Sequence, residues 1–354
     1  VTGRRVLFLL AVGVACLFAG TVGRTQTPAP APGPREVPAR TLPVPETVSP
    51  EMQRIIGAPP GAGWNTVPKT PEEMKAFAAG IANAPAPNLQ PLRDRLGVKY
   101  EPTVVNGVKA YMLTPTVIPP ANRNRLLVHV HGGCFMAGGG EGAMSEATYM
   151  AGYGHFKVLV VDYRRPPEFP YPAPLDDVVS AWKGALKMAD PKNMAIFGTS
   201  AGGNLTLSAI LRLKQERLAL PGAIAPGSPM SDLTNAGDSF HTNYLVDNVL
   251  VGSNGRCDAM AGSYANGHDL KDPMLSPVYG DMRGFPPTIL TTGTRDLLLS
   301  STVRVHRKLQ QAGVEAALQV YEGQSHAQYY LRDSPEAKEA FEEIARFFDK
   351  HLGK

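Results

Sequence analysis

Ser200 lies in Gly198-Thr199-Ser200-Ala201-Gly202-Gly203, directly after the apolar run 194–197 and before a stretch with helical spacing. A serine on a sharp strand-to-helix turn needs small residues on both sides, because the turn is strained and the chain passes close to its neighbours. The glycines at 198, 202 and 203 meet that need. A plain glycine turn is the competing reading, and the strand-to-helix context favours a nucleophile. A serine of ordinary acidity attacks poorly unless a base removes its proton and an acid holds that base in the right tautomer. Asp296, in Gly293-Thr294-Arg295-Asp296-Leu297, follows the apolar run 288–292, and His326, in Gly323-Gln324-Ser325-His326, follows the run ending near Tyr321. Of eight histidines only His326 has this placement. The chemistry such a set would do is nucleophilic acyl transfer.

Acyl transfer also needs N–H donors aimed at the oxyanion that forms. Val130-His131-Gly132-Gly133-Cys134-Phe135 follows the first long strand and offers the N–H groups of Gly132, Gly133 and Cys134. Ala201, just after the serine at the start of a helix, offers another. His129 and His131 form an H-x-H pair, but neither a third ligand cluster nor an H-E-x-x-H accompanies them, so no metal is expected.

Positioning these residues requires strands that end where they stand. Runs 125–130, 158–161, 194–197, 223–226, 288–292 and 316–321 are short and apolar, mostly without polar alternation, as for strands buried on both faces. Segments 178–188, 202–217, 301–312 and 335–352 have helical spacing, the last with Phe341, Ile344, Phe348 and Leu352 on one face behind a Ser334-Pro335 start. Alternating strands and helices predict an α/β fold with a mostly parallel central sheet flanked by helices, in which loops after the strands carry the site. Ahead of the sheet, Thr70-Pro71-Glu72-Glu73 reads as a helix start, with Met74, Phe77 and Ile81 as its apolar stripe. Ser49-Pro50 before Met52, Ile55 and Ile56, stopped by Gly57, predicts another short helix, so residues 46–90 read as a small helical cap and 91–354 as the main domain.

The N-terminal segment differs in kind. Arg4 and Arg5 precede an apolar run over 6–19, then small and polar residues through Thr27, the plan of an export signal over 1–27. That run is short for the ~20 residues of a spanning helix, so no stable membrane anchor is expected. Cys16 invites a lipoprotein reading, which Gly13 opposes. Eight prolines between Pro28 and Pro50 make 28–45 an extended linker. Over all 354 residues, 43% hydrophobic and 19% charged excludes a disordered chain and a polytopic membrane protein. A net charge of +4 with no basic run gives no reason to expect a nucleic-acid partner. Export would let Cys134 and Cys257 pair if the fold brings them together.

Together these residues resemble the bacterial hormone-sensitive-lipase family (family IV) of α/β-hydrolases, over residues 100 to the C-terminus. The H-G-G-G-F/W loop appears as His131-Gly132-Gly133-Cys134-Phe135, and the D-Y-R-L-A-P-E-x-P-x-P-A stretch as 162–173. The serine motif has the G-T-S-A-G-G subfamily form. Further matches are 228–234 and 313–323 leading to His326. The resemblance implies an α/β-hydrolase fold, a Ser200-Asp296-His326 triad in that chain order, an N-terminal cap over the acyl pocket, and no cofactor. It implies small-molecule carboxylic esters of short to medium acyl chain as substrates, and leaves a homodimer open because members often dimerise. Lactones, amides and thioesters stay open as substrates. So does a binding protein on the same scaffold, although receptor relatives have lost the histidine that is present here. Phe135, Met136, Tyr244 and Leu245 stand where a pocket lining or ordinary packing would use them. Three departures stand out. Cys134 replaces the loop's third glycine, which is harmless if that residue avoids positive φ. Leu297-Leu298-Leu299 after Asp296 lacks the second acid of the larger subfamily. Arg165 and Pro166 replace a Leu-Ala pair; the 162–173 motif and Asp232 read as structural ion pairs.

Overall fold

The structure, a computed structural model, describes residues 33–353; the expected export signal and the first part of the linker lie outside them. Residues 33–42 contain neither helix nor strand and belong to a unit separate from the one beginning at Pro43. Three helices open the second unit. In α1 (Pro50–Ile56) the Ser49 hydroxyl accepts from Met52 N at 3.1 Å, and the same serine donates through N and Oγ to Glu336, each at 2.7 Å. In α2 (Pro71–Ala82) Thr70 Oγ1 accepts from Glu73 N at 3.1 Å, and Glu73 reaches back to Lys69 N at 2.6 Å. Met74, Phe77 and Ile81 of this helix pack half-buried on the core below, the stripe their spacing predicts. The third helix, α3 (Gln90–Leu96), was not expected; it ends on Gly97 in the left-handed region.

The sheet has eight strands in the order β1-β2-β4-β3-β5-β6-β7-β8. The six runs read as strands are β3 (Leu126–Val130), β4 (Lys157–Val161), β5 (Met194–Thr199), β6 (Ala223–Gly227), β7 (Thr288–Gly293) and β8 (Ala316–Tyr321), all mutually parallel. Sequence reading missed the antiparallel edge, β1 (Val98–Val105) and β2 (Val108–Pro115), joined through Asn106-Gly107. Most of β1 is exposed, so it lacks the continuous apolar run that marks a buried strand.

Both faces are covered. Leu126, Val128 and Val130 point into one apolar layer, with α5 (Ala173–Ala185), α6 (Ala201–Gln215) and α9 (Leu299–Gln311). Leu127 points into the other, beside α4 (Ser145–Gly154) and α11 (Pro335–His351). That alternation is the period-2 rule of a strand. Short α7 (Ser239–Thr242), α8 (Arg256–Ala265) and short α10 (Gln328–Leu331) complete the helices. Ser200, Asp296 and His326 follow β5, β7 and β8, so they share the carboxyl edge of the sheet, where parallel α/β sheets hold their ligands.

Candidate active site

Ser200 joins β5 to α6 at φ 64° and ψ −121°, a conformation a residue with a Cβ adopts only when its surroundings force it. The glycines explain how the turn fits. A Cβ on Gly198 or on Gly202 would lie 2.0 Å from the Val130 carbonyl oxygen, and one on Gly203 would lie 2.8 Å from that of Gly227. Main-chain bonds fix the serine: its N–H donates to Gly227 O at 2.9 Å, and its carbonyl accepts from Asn204 N and Met230 N. Beneath the turn lies a buried carboxylate that sequence reading did not find. Glu146 of α4 accepts from Thr199 N at 3.1 Å, from Thr199 Oγ1 at 2.7 Å and from His129 Nε2 at 3.0 Å. Tyr329 Oη closes this network on Thr199 Oγ1.

Asp296 and His326 meet directly. His326 Nδ1 donates to Asp296 Oδ1 at 3.1 Å, and both side chains are buried. Leu298 N donates to the same oxygen at 2.8 Å, while Thr292 Oγ1, at 2.9 Å, and Ser228 Oγ donate to Oδ2. Burial alone would lower the pKa of His326, but the Asp296 charge and hydrogen bond outweigh it and raise the value above the ordinary imidazole range. Burial likewise pushes Asp296 upward, and the His326 charge with the surrounding donors reverses that, leaving it below the usual carboxylate range.

The loop after β3 packs against the serine. A Cβ on Gly132 would stand 2.7 Å from Thr199 O and 3.3 Å from Ser200 Cβ, so only glycine lets this strand of backbone approach. Gly133 has φ 102°, and its carbonyl accepts from Ala137 N at 2.8 Å. Among the described residues the N–H groups of Gly132, Gly133 and Cys134 have no hydrogen-bond acceptor. Cys134 does not avoid positive φ, as a harmless glycine replacement would require. It sits at φ 51° and Phe135 at φ 67°. The strain is held by cross-links to α8: Cys134 is bonded to Cys257, with 5.5 Å between their Cα atoms, and Phe135 stacks on Tyr264 at 4.0 Å.

Neither histidine of the H-x-H pair is placed as a ligand. His129 faces Glu146, and His131 lies flat on Tyr163 with Nδ1 donating to Gly132 O at 2.8 Å. Burial, with Arg165 nearby, lowers the pKa of His131 to about 3, so it is neutral. Among the described residues no cluster of three or more His, Cys, Asp or Glu could hold a metal. Asp162 pairs with Arg165 at 2.7 Å and Asp232 with Arg304 at 2.5 Å, so both are ion-pair partners. Phe135 is core packing; Tyr244 and Leu245 are exposed, Tyr244 edge-on to Trp64. Met136 lines a cavity of about 570 Å³ between α2 and the 162–169 stretch, which is lined by neither Ser200 nor His326.

A family model described as the alpha/beta hydrolase fold matches residues 127–330. A crystallised esterase superposes with a TM-score of 0.85 at 41% identity, over 90% of this chain and 99% of its own. A second, titled as an esterase from the bacterial hormone-sensitive lipase family, superposes with a TM-score of 0.71 at 28% identity, over 86% and 99%. The chain belongs to the hormone-sensitive-lipase-like esterases. Among curated relatives, an esterase of Acinetobacter venetianus is 32% identical over 74% of this chain and 88% of its own. An acetyl-hydrolase of Streptomyces hygroscopicus is 28% identical over 67% and 79%. As a member of these esterases the protein is a carboxylic ester hydrolase. Of the residues singled out from sequence, the fold brings Asp296 and His326 into contact and sets Gly132 against Ser200. Sequence reading missed Glu146 and also Asp247, whose carboxylate accepts from His326 N at 3.1 Å; neither carries a motif. Asp247 stands among Tyr244, Leu245, Val246, Val249, Leu250 and Val251, a mostly apolar run that could have flagged it; Glu146 has no such signal.

Proposed function

We propose that this esterase works through an acyl-enzyme on Ser200, with His326 as general base and then general acid, Asp296 as the residue that orients it, and the N–H groups of Gly132, Gly133, Cys134 and Ala201 as the oxyanion hole. The observation that carries the reading is the buried Asp296–His326 hydrogen bond at the same sheet edge as a serine held at φ 64°. Ser200 Oγ attacks the ester carbonyl while His326 Nε2 takes its proton. The imidazolium, its Nδ1–H kept on Asp296, then protonates the departing alkoxide. Water, activated by the same nitrogen, releases the acid. Among the described residues the loop N–H groups have no acceptor, and the Ala201 N–H is one of the four a helix start leaves unpaired, so these donors are available to an oxyanion.

The substrates of this reading are short- to medium-chain esters. Similarity to an acetyl-hydrolase supports the short end. Export is part of the reading: a Cys134–Cys257 bridge belongs in an oxidising compartment. The form Gly198-Thr199-Ser200-Ala201-Gly202-Gly203 assigns the esterase to the G-T-S-A-G-G subfamily. The test is hydrolysis of p-nitrophenyl esters from C2 to C16. A maximum at the short or medium end, reduced at least about a thousandfold by Ser200→Ala with the circular dichroism unchanged, is the expected result. Substantial turnover by folded Ser200→Ala would overturn the assignment.

A further inference from the structure

Between α7 and α8 the chain runs without regular structure as a strap, residues 243–251, across the loops that carry Asp296 and His326. At one end Asn243 Nδ2 donates to the Asp296 carbonyl at 2.8 Å. At the other, Asn248 N donates to Ser325 Oγ at 3.2 Å and Asn248 Oδ1 accepts from Gln328 Nε2 at 2.7 Å. Asn248 Nδ2 also donates to the Ile55 and Ala58 carbonyls, at 3.0 and 2.9 Å, where α1 ends. Between these anchors lies Asp247, with no solvent exposure. Its Oδ1 accepts from Val249 N at 2.7 Å and Leu250 N at 3.0 Å, which closes the strap's own turn. Its Oδ2 faces outward from the strap and accepts from Leu297 N at 2.8 Å and His326 N at 3.1 Å. Closing a turn needs only one carboxylate oxygen, and a surface asparagine or serine does it without burying a charge. The second oxygen is engaged at the residue after Asp296 and at His326 itself.

We propose that Asp247 is the positioning residue of the Asp296–His326 pair, its Oδ2 clamping the backbones of the loops after β7 and β8 so that the imidazole keeps its place while it carries the proton. The proposal rests on the assignment of Ser200, Asp296 and His326 above. Besides holding the loops, Asp247 is a second carboxyl group beside the imidazole. The titratable groups that face it are Asp296 and His326. Burial and the Asp296 charge push the Asp247 pKa up, against the pull of His326 and of the Leu297 and Val249 N–H groups. Ionised, Asp247 adds to Asp296 in favouring the imidazolium.

The experiment compares full-length wild type, Asp247→Asn and Asp247→Glu with intact disulfide. Functional sites are counted by fluorophosphonate labelling of Ser200, so that kcat is expressed per labelled site. Asp247→Asn keeps the size but turns an N–H₂ toward two N–H groups. It is expected to lower kcat per site about 10–100-fold with KM within about threefold, since small displacements of a catalytic group cost about that much. It should also move the ascending limb of kcat/KM to lower pH. Asp247→Glu keeps the charge and changes the reach. It should keep the limb and still lower kcat per site, and it decides the matter if the asparagine variant fails to fold. Wild-type kcat per site in either folded variant, or a loss accounted for wholly by fewer labelled sites, overturns the proposal. A wild type that is inactive, or whose activity survives Ser200→Ala, instead overturns the site assignment beneath it.

Discussion

His326 sits between opposed influences. Burial disfavours its charged form, and Asp296 at 3.1 Å favours it by more, so its pKa lies above the ordinary value. In its proposed role as general base it works only when neutral. Activity should therefore be low where His326 is protonated and rise with pH through that raised value, so the ascending limb of kcat/KM sits above the ~6.5 of a free imidazole. Asp296, held below the usual carboxylate range, stays ionised across the limb. Asp296→Asn removes the anion, which should lower the limb's midpoint and cut kcat about 10⁴-fold, as loss of the tautomer-fixing acid does in serine hydrolases generally. Rates on a soluble acetate ester between about pH 5 and 9 check both. A limb at or below the free-imidazole value would contradict the pairing. At this scale the sequence was legible where turn chemistry marks a residue: Ser200, Asp296 and His326 each follow an apolar run and a glycine. Asp247 was not, because it reaches Leu297 and His326 across 50 and 79 positions and does so through their backbones. Backbone N–H groups have no letter in a sequence. Glu146 escaped because its partners His129 and Thr199 lie 17 and 53 positions away, too far for a local motif to join them.

Elements were legible where their burial leaves a pattern in the sequence. The six parallel strands are continuous apolar runs, and α11 has a sharp period, with Phe341, Ile344 and Phe348 turned inward behind the Ser334 cap. The Ser334 hydroxyl accepts from Ala337 N at 3.0 Å, and the buried rings of Phe341 and Phe348 meet Tyr149 of α4 and Phe156 within the same layer. Phe348→Ala should destabilise the fold by about 3–5 kcal/mol in urea unfolding, with kcat unchanged in the protein that remains folded, since this end of the helix is tied to Arg125 and Lys192, ahead of β3 and β5 and at the edge of the sheet opposite Ser200. A loss below about 1 kcal/mol would mean that the helix is not part of the cooperative core. By contrast, β1 is largely exposed and α4 is buried almost all round, so neither shows the alternation or the stripe that reveals an element. The glycine loop was recognised by type and misjudged in conformation. Cys134 occupies the left-handed region that its replacement of a glycine was expected to avoid, because a disulfide and a ring stack to α8 hold it there.

Across the whole molecule, the Cys134–Cys257 bond spans 123 positions. Closing so long a loop removes much of the freedom of the unfolded chain, an effect of about 4–5 kcal/mol in the entropic account. Cys257→Ser should lower the unfolding midpoint accordingly, and dithiothreitol should lower the wild type to match; equal midpoints with and without the bond would show that the native loop is strained enough to cancel the gain. The bond also divides the chain into a covalent ring, an N-terminal arm and a C-terminal tail. The ring, residues 134–257, encloses Ser200, β4 to β6 and the strap, while Asp296 and His326 lie on the tail. A protease that nicks the exposed turn at Arg217 therefore opens the ring without releasing a fragment. Ser200, Asp296 and His326 stay on one covalent molecule until a reductant opens the bond.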